Sequence, residues 1–491
     1  MNRLRTRLPG WSFLGLLLLA FAAQAADPAR PNFIVLIGEG QGWSSLSAPM
    51  DDRIAESRSL LVRTPNLDRI AREGMRFTRF HAASPRCTPT RAALLTGRSP
   101  AALRMTFVSE GGGDGDAKGG LRTRLLPAES TTELPRSVTT LAELLKTSGY
   151  RTAHFGKWHL GRTDPAAHGF DESTGPTSNG GPDNVSNPNP KQAFRSADLG
   201  VDFITRAVRE HRPFYLQIAQ YAGRSALDVL PETLERVRAR AAGRNPVETA
   251  AAAVAEDADN SYGRILATLE SLGVLESTFV IYTTDHGAPG RNPPFSGGKG
   301  MVSEGGLRVP LLIRGPGVSA GTFARTFTTS VDLFPTVAEL AGVDPGSREG
   351  LEGGSLVPLL RAGGSGEVRR AREDWLVHVP HYDKDPLGPA SALIHGDLKL
   401  VRIYETGERR LHDLATDPSE RVNLARDRPE VVDDLDRRLT EALASAKAAL
   451  PRVNGNADPK ASADTLPGER RGLREGRPGR NDRRKAKEER P

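Results

Sequence analysis

Cysteine is nearly absent: a single residue, Cys87, stands in a chain of 491. One cysteine cannot build a disulfide framework, so packing or chemistry must account for it. A membrane-spanning run is missing too. The apolar stretch Trp11–Ala22 is too short to cross a bilayer comfortably. It follows Arg3, Arg5 and Arg7 and precedes Ala23-Gln24-Ala25, a small-x-small cleavage site. That order predicts a secretory signal peptide over residues 1–25, export to the periplasm or the medium, and no stable membrane anchor. No internal repeat is visible. The folded body also has little net charge. Of the formal +7, Arg3, Arg5 and Arg7 carry three charges and residues 452–491, with 12 basic against 7 acidic side chains, carry five, which leaves residues 26–451 at one net negative charge. A near-neutral body speaks against a nucleic-acid partner. The tail over residues 452–491, rich in Gly, Pro and Arg, is expected to be disordered.

What remains is an ordinary globular composition, 37% hydrophobic and 26% charged, long enough for a large core plus a smaller subdomain. Asn32–Ile37 is a continuous apolar run, the pattern of a strand buried on both faces of a parallel sheet, and Gly38-Glu39-Gly40-Gln41-Gly42 ends it. Thr64–Gly74 reads as a capped helix, Thr139–Lys146 as another ended near Gly149, and a long helical stretch covers residues 232–272. Strand patterns recur at Tyr150–Phe155, Phe214–Ala219, Thr278–Tyr282 and, as the last, Val309–Ile313. Residues 110–120, with six glycines, read as a mobile loop. From Trp375 the pattern changes to short antiparallel strands at Ser391–Ile394, Lys399–Tyr404 and Arg409–Leu414, then a helix at Pro429–Leu450. Alternation of strand and helix predicts an α/β fold: a doubly wound, mostly parallel sheet flanked by helices over residues 26–365, with a smaller C-terminal α+β subdomain over residues 366–451.

In open α/β sheets, ligands collect outside the carboxyl ends of the strands. Glu39 follows the first strand, Lys157 and His159 a second, Arg224 a third, and Asp285 with His286 a fourth. Carboxylate, imidazole and cation thus come to one rim from independent segments. Cys87 lies two residues before Pro89, which fixes a first helical turn, and Arg91–Leu95 continue as good helix formers before Gly97 stops them. A helix N-terminus suits a thiolate or a bound oxyanion.

The stretch CTPTRAALLTGR, Cys87–Arg98, resembles the signature of the type I sulfatases of the alkaline-phosphatase-like superfamily. In that family the cysteine of a C-x-P-x-R core is oxidised by a formylglycine-generating enzyme, and the hydrated aldehyde is the nucleophile. Further blocks, TPNLDRIAREGMRFTRFHA, GKWHLG, HGFD, YTTDHG and GGKGMVSEGGLRVP, extend the resemblance from Pro31 to the LHDLATDP stretch. It implies a sulfuric ester hydrolase acting on a sulfated glycan or an aryl sulfate. By the same resemblance Lys157 and Lys299 would clamp sulfate oxygens, Arg91 would hold the formylglycine, and His159 would be the base that expels sulfate. Calcium, or another divalent metal, would be held by Glu39, Asp285, His286 and residue 87, completed by Gln41 or water. His381, from the second subdomain, would line the mouth of the pocket.

Two departures stand out. The family's first strand ends in two adjacent aspartates, where this chain has Glu39 and Gly40. Near the leaving group the family carries a histidine, where Arg224 stands here; arginine stays protonated and would neutralise a departing alkoxide or an anionic sugar rather than donate a proton. The same fold and nucleophile would serve a phosphate or phosphonate monoester hydrolase, and the thinner metal set would suit a pseudo-sulfatase that binds sulfated glycans uncleaved.

Overall fold

The structure, a computed structural model, describes residues 30–109, 123–179, 190–223, 225–344 and 350–457. The expected signal peptide, the glycine-rich stretch 110–120, Arg224 and residues 458–491 of the basic tail lie outside the described residues. From Pro31 onward the described residues form one compact unit.

Its main sheet has eight strands: β1 (Asn32–Gly38), β2 (Met75–Phe77), β3 (Arg151–Gly156), β4 (Glu172–Ser173), β5 (Phe214–Ala219), β6 (Thr278–Thr284), β7 (Leu311–Arg314) and β8 (Thr322–Ala324), in spatial order β8-β2-β7-β6-β1-β5-β3-β4. Only β7 runs against its neighbours, so the sheet is mixed but mostly parallel. At its centre β1 pairs with β5 and β6, Phe33 lying opposite both Tyr215 and Phe279. All seven residues of β1 are buried because helices cover both faces. Successive side chains alternate: Phe33, Val35 and Ile37 enter one core cluster, Ile34 and Leu36 the other. Each such fully buried side chain contributes about 1.5–3 kcal/mol.

Among the described residues the α-helices of six residues or more are α1 (Pro65–Glu73), α2 (Cys87–Thr96), α3 (Leu141–Lys146), α4 (Ala193–Arg209), α5 (Pro231–Arg240), α6 (Pro246–Ser271), α7 (Leu333–Leu340) and α8 (Pro429–Ser445). Leu67 and Ile70 of α1, Phe203 of α4 and Ile265 of α6 pack on one face, and Leu94 of α2, Leu144 of α3 and Val337 of α7 on the other. Local chemistry sets the ends. Thr140 and Glu143 form a reciprocal capping box at the start of α3, and Gly97, at φ +67°, closes α2 with its N–H on Ala93 O.

A second sheet is antiparallel, ordered β9 (Trp375–Val379), β10 (Ala390–His395), β11 (Leu398–Ile403) and β12 (Arg409–Asp413). One face packs Leu400 and Leu411 against Leu435 and Leu439 of α8. The other packs Val377, Ala392 and Val401 against Ala93 of α2 and against Val302 and Leu307. The small sheet therefore backs the segments that flank Cys87.

Three details differ from the sequence expectation. The helical stretch at residues 232–272 is two helices, parted where Gly243 takes φ +79° and Asn245 caps Pro246. Val309–Ile313 is not the last strand of the sheet; β7 begins at Leu311 and β8 follows it. Thr64 does not cap α1. The backbone N–H groups of Asn66 and Leu67 donate instead to the Asp259 carboxylate of α6, at 3.1 and 2.8 Å, a cap supplied from 193 residues away.

Candidate active site

Three strand ends and one helix start meet. Cys87 is the first residue of α2, Glu39 follows β1, Lys157 follows β3, and Asp285 with His286 follows β6. All ten residues of α2 are buried, so the helix is held from every side and its N-terminus is fixed. Gly156 makes the turn out of β3 at φ +103°, where a Cβ would lie 1.9 Å from Ala219 O. His159, also at positive φ (+59°), is fully buried, and its carbonyl accepts from Thr88 Oγ1 at 2.8 Å. A non-glycine residue in that region stores strain that the surroundings must hold.

Around Cys87 Sγ stand His286 Nε2 at 3.2 Å, Lys299 Nζ at 3.6 Å and Glu39 Oε1 at 3.8 Å. The Glu39 side chain, 5% exposed, receives Lys157 Nζ at 2.6 Å and Arg91 at 3.3 Å on Oε2, and Lys299 at 3.4 Å on Oε1. Arg91 is the internal brace. Its Nε donates to Asp285 Oδ2 at 3.0 Å and its NH1 to the Lys157 carbonyl at 2.7 Å, tying α2 to the ends of β6 and β3.

The electrostatics follow. Burial alone would raise the Glu39 carboxyl, but Lys157, Lys299 and His286 overcome it and hold it well below the usual carboxylate range. Burial and Glu39 also oppose ionisation of the Cys87 thiol, yet Lys157, His286 and Lys299 win and hold it well below its ordinary value. Burial disfavours the His286 cation, but Asp285 beside it raises the imidazole to about 9. Asp285 is raised by its own burial and by Glu39. The pocket is built to stabilise negative charge at residue 87 and on atoms attached to it.

Glu39, Cys87, Asp285 and His286 each offer a ligand atom, all within 4.8 Å of one another, so the donors fit a single cation. Gly40 N donates to Asp285 Oδ1 at 3.1 Å.

Of the residues named from the sequence, Cys87, Arg91, Lys157, Lys299, Glu39, Asp285 and His286 form this group. His159 adjoins it through its backbone. His381 is buried at 1% exposure, its Nε2 2.8 Å from Thr106 Oγ1 and its ring 5.0 Å from Phe107. Among the described residues it packs between loops rather than lining a pocket mouth. Asn179 was not foreseen: its Oδ1 accepts from Lys157 Nζ at 2.6 Å. It lies in a Gly- and Ser-containing loop with no periodicity, and no local signal marks it.

A helix N-terminus among buried cations at the carboxyl ends of a mostly parallel sheet suits a hydrolase of oxyanion esters. The family model Sulfatase matches residues 31–343, and the model N-sulphoglucosamine sulphohydrolase, C-terminal, matches residues 297–448. The chain belongs to the sulfatase family. It is 34% identical to N-acetylgalactosamine-6-sulfatase of Canis lupus familiaris over 72% of this chain and 70% of the relative. Against Arylsulfatase A of Homo sapiens it is 31% identical, over 70% of each. A sulfatase structure from Pseudoalteromonas sp. superposes with a TM-score of 0.65 at 22% identity, covering 87% of this chain and 92% of that one. The chain is thus a sulfatase, an enzyme that hydrolyses sulfate monoesters.

Proposed function

We propose that this sulfatase acts on a sulfated glycan or aryl sulfate through residue 87, converted from cysteine to formylglycine by a formylglycine-generating enzyme. Formylglycine, once formed, supplies a hydrated aldehyde with one hydroxyl for attack on sulfur and a second for release. Lys157 and Lys299 bind and orient the sulfate oxygens, Arg91 holds residue 87 against the end of β6, and His159 takes the proton at the second hydroxyl. Glu39, Asp285, His286 and the side chain at 87 hold a divalent cation, which supplies positive charge against the oxyanion that develops in reaction. A glycan substrate is supported by the relative named N-acetylgalactosamine-6-sulfatase, and Arg224 is assigned to an anionic or alkoxide group of that substrate. Export, with cleavage after Ala25, completes the reading; N-terminal sequencing of the secreted protein tests it.

The observation that carries the proposal is the packing of two lysines, an arginine and a histidine around one buried sulfur at a helix start. The test is sulfate release from paired aryl sulfate and aryl phosphonate esters by protein co-expressed with a formylglycine-generating enzyme. Cys87→Ala is expected to lose at least about 10³-fold in kcat/KM with the sulfate ester. Equal turnover by Cys87→Ala and wild type sinks the nucleophile, and faster phosphonate than sulfate turnover sinks the substrate class.

A further inference from the structure

Each carboxylate of the cation site has one oxygen held by the Arg91 guanidinium. Glu39 Oε2 is taken by Lys157 and Arg91, and Asp285 Oδ2 by Arg91. The other two oxygens carry lighter contacts and face His286 and Cys87: Glu39 Oε1, with Lys299 Nζ at 3.4 Å, and Asp285 Oδ1, which accepts the Gly40 N–H at 3.1 Å. The third donor is nitrogen. His286 Nδ1 donates to the Gly287 carbonyl at 2.9 Å, which fixes a proton there and turns Nε2, the nitrogen a metal would take once its proton is displaced, toward Cys87, Glu39 and Asp285 at 3.2, 3.6 and 3.5 Å. The fourth is the Cys87 sulfur, 3.8 Å from Glu39 Oε1.

Position 40 shows why a second carboxylate is missing beside Glu39. Gly40 sits at φ +58°, and a Cβ there would lie 3.0 Å from His286 Cε1. The imidazole fills the space into which an acidic side chain at 40 would grow. Loss of one oxygen donor and gain of a nitrogen donor are one packing solution.

From this we infer that the site takes a four-coordinate, zinc-class cation through Glu39, Asp285, His286 and residue 87, in preference to calcium. The inference rests on the sulfatase reading for the existence of a cation site and goes beyond it in the ion and its coordination. Calcium takes six to eight oxygen ligands, and among the described residues the four-residue donor group supplies two carboxylates. Zinc is bound by sulfur, imidazole and monodentate carboxylate, and at bonds of about 2.0–2.3 Å a tetrahedron separates its ligand atoms by about 3.3–3.8 Å. Spacing alone would suit either ion; the donor types decide.

The test is calorimetric titration of the full chain, made without the formylglycine-generating enzyme and stripped with chelator, with zinc chloride and with calcium chloride. Expected is one zinc per chain, bound at least a hundredfold more tightly than calcium. His286→Asn should weaken zinc at least tenfold without weakening calcium. Cobalt(II) loading should give the intense visible bands of a tetrahedral ion together with a thiolate charge-transfer band that Cys87→Ser removes. Should His286→Asn not fold, Cys87→Ser and the cobalt spectrum decide alone. Calcium bound as tightly as zinc, zinc binding untouched by both variants, or a weak octahedral cobalt spectrum would each overturn the inference. None of these readouts uses substrate, so a failure here is separate from a failure of the sulfatase activity.

Discussion

Glu304 carries the most informative single perturbation outside the cluster around Cys87. It is wholly buried, opens the short helix Glu304–Leu307 just after the Lys299 loop, and is met by His81 at 2.8 Å, Lys399 of β11 at 3.1 Å and Arg308, four residues on, at 4.0 Å. Lys399 also binds Glu420 at 2.8 Å, and Glu420 Oε2 accepts the Glu304 backbone N–H at 2.7 Å. Burial would raise the Glu304 carboxyl, but His81, Lys399 and Arg308 hold it well below the usual range. Glu304→Gln keeps the volume and removes the charge. One amide oxygen cannot serve both His81 and Lys399, and Lys399 loses half of its buried counter-charge. A hydrogen bond to a charged group contributes about 1.5–3 kcal/mol, so a loss of about 3 kcal/mol in unfolding free energy is expected. At this chain length that lowers Tm by about 3 °C. Scanning calorimetry of the single variants, of Lys399→Met and of the pair checks it, with a coupling above about 1 kcal/mol expected between the two sites. A Tm within about 0.5 °C of wild type, or strict additivity, would refute the view that this cluster ties the C-terminal sheet to the Lys299 loop.

Gly156→Ala should be costly in both stability and activity, because φ +103° and a Cβ 1.9 Å from Ala219 O force the backbone that carries Lys157 to shift; we expect a loss of at least about 2 kcal/mol and a fall in kcat, measured by urea unfolding and by turnover. Three buried histidines should make the fold acid-sensitive. Burial lowers His154 and His378 to about 4 and His381 to about 3. Because these values are depressed, the unfolded chain takes up more protons below pH 6.5, and stability is lost as pH falls from there through the folded values. At pH 5.5 each contributes a loss of about 1.4 kcal/mol. A urea midpoint unchanged between pH 7.5 and 5.5 would contradict this, and His381→Gln should flatten the slope.

Much of the fold was legible because its signals are local. Asn32–Ile37 is apolar at every position, which only a strand covered on both faces can satisfy, and β1 is that strand. Cys87, Pro89 and Gly97 marked both ends of α2 by their backbone requirements. The break between α5 and α6 was missed although Gly243, Asn245 and Pro246 signal it, because the apolar pattern on either side continues in phase. Asn179 and the Asp259 cap of α1 were beyond reach, since each depends on a partner outside its own element, 22 and 193 residues away.

By itself the sequence determined which strand or helix end delivers Glu39, Cys87, Lys157, Asp285 and His286. Hydrophobic period and turn residues are properties of a few consecutive positions, so they can be read without neighbours. Tertiary structure alone decided how the delivered groups share their atoms. It placed Lys157 and Arg91 on one oxygen of Glu39, put His286 where a side chain at position 40 would stand, and drew His381 into packing with Phe107. Those outcomes depend on distances between segments scores of residues apart, and such distances are fixed only when both faces of the sheet are packed.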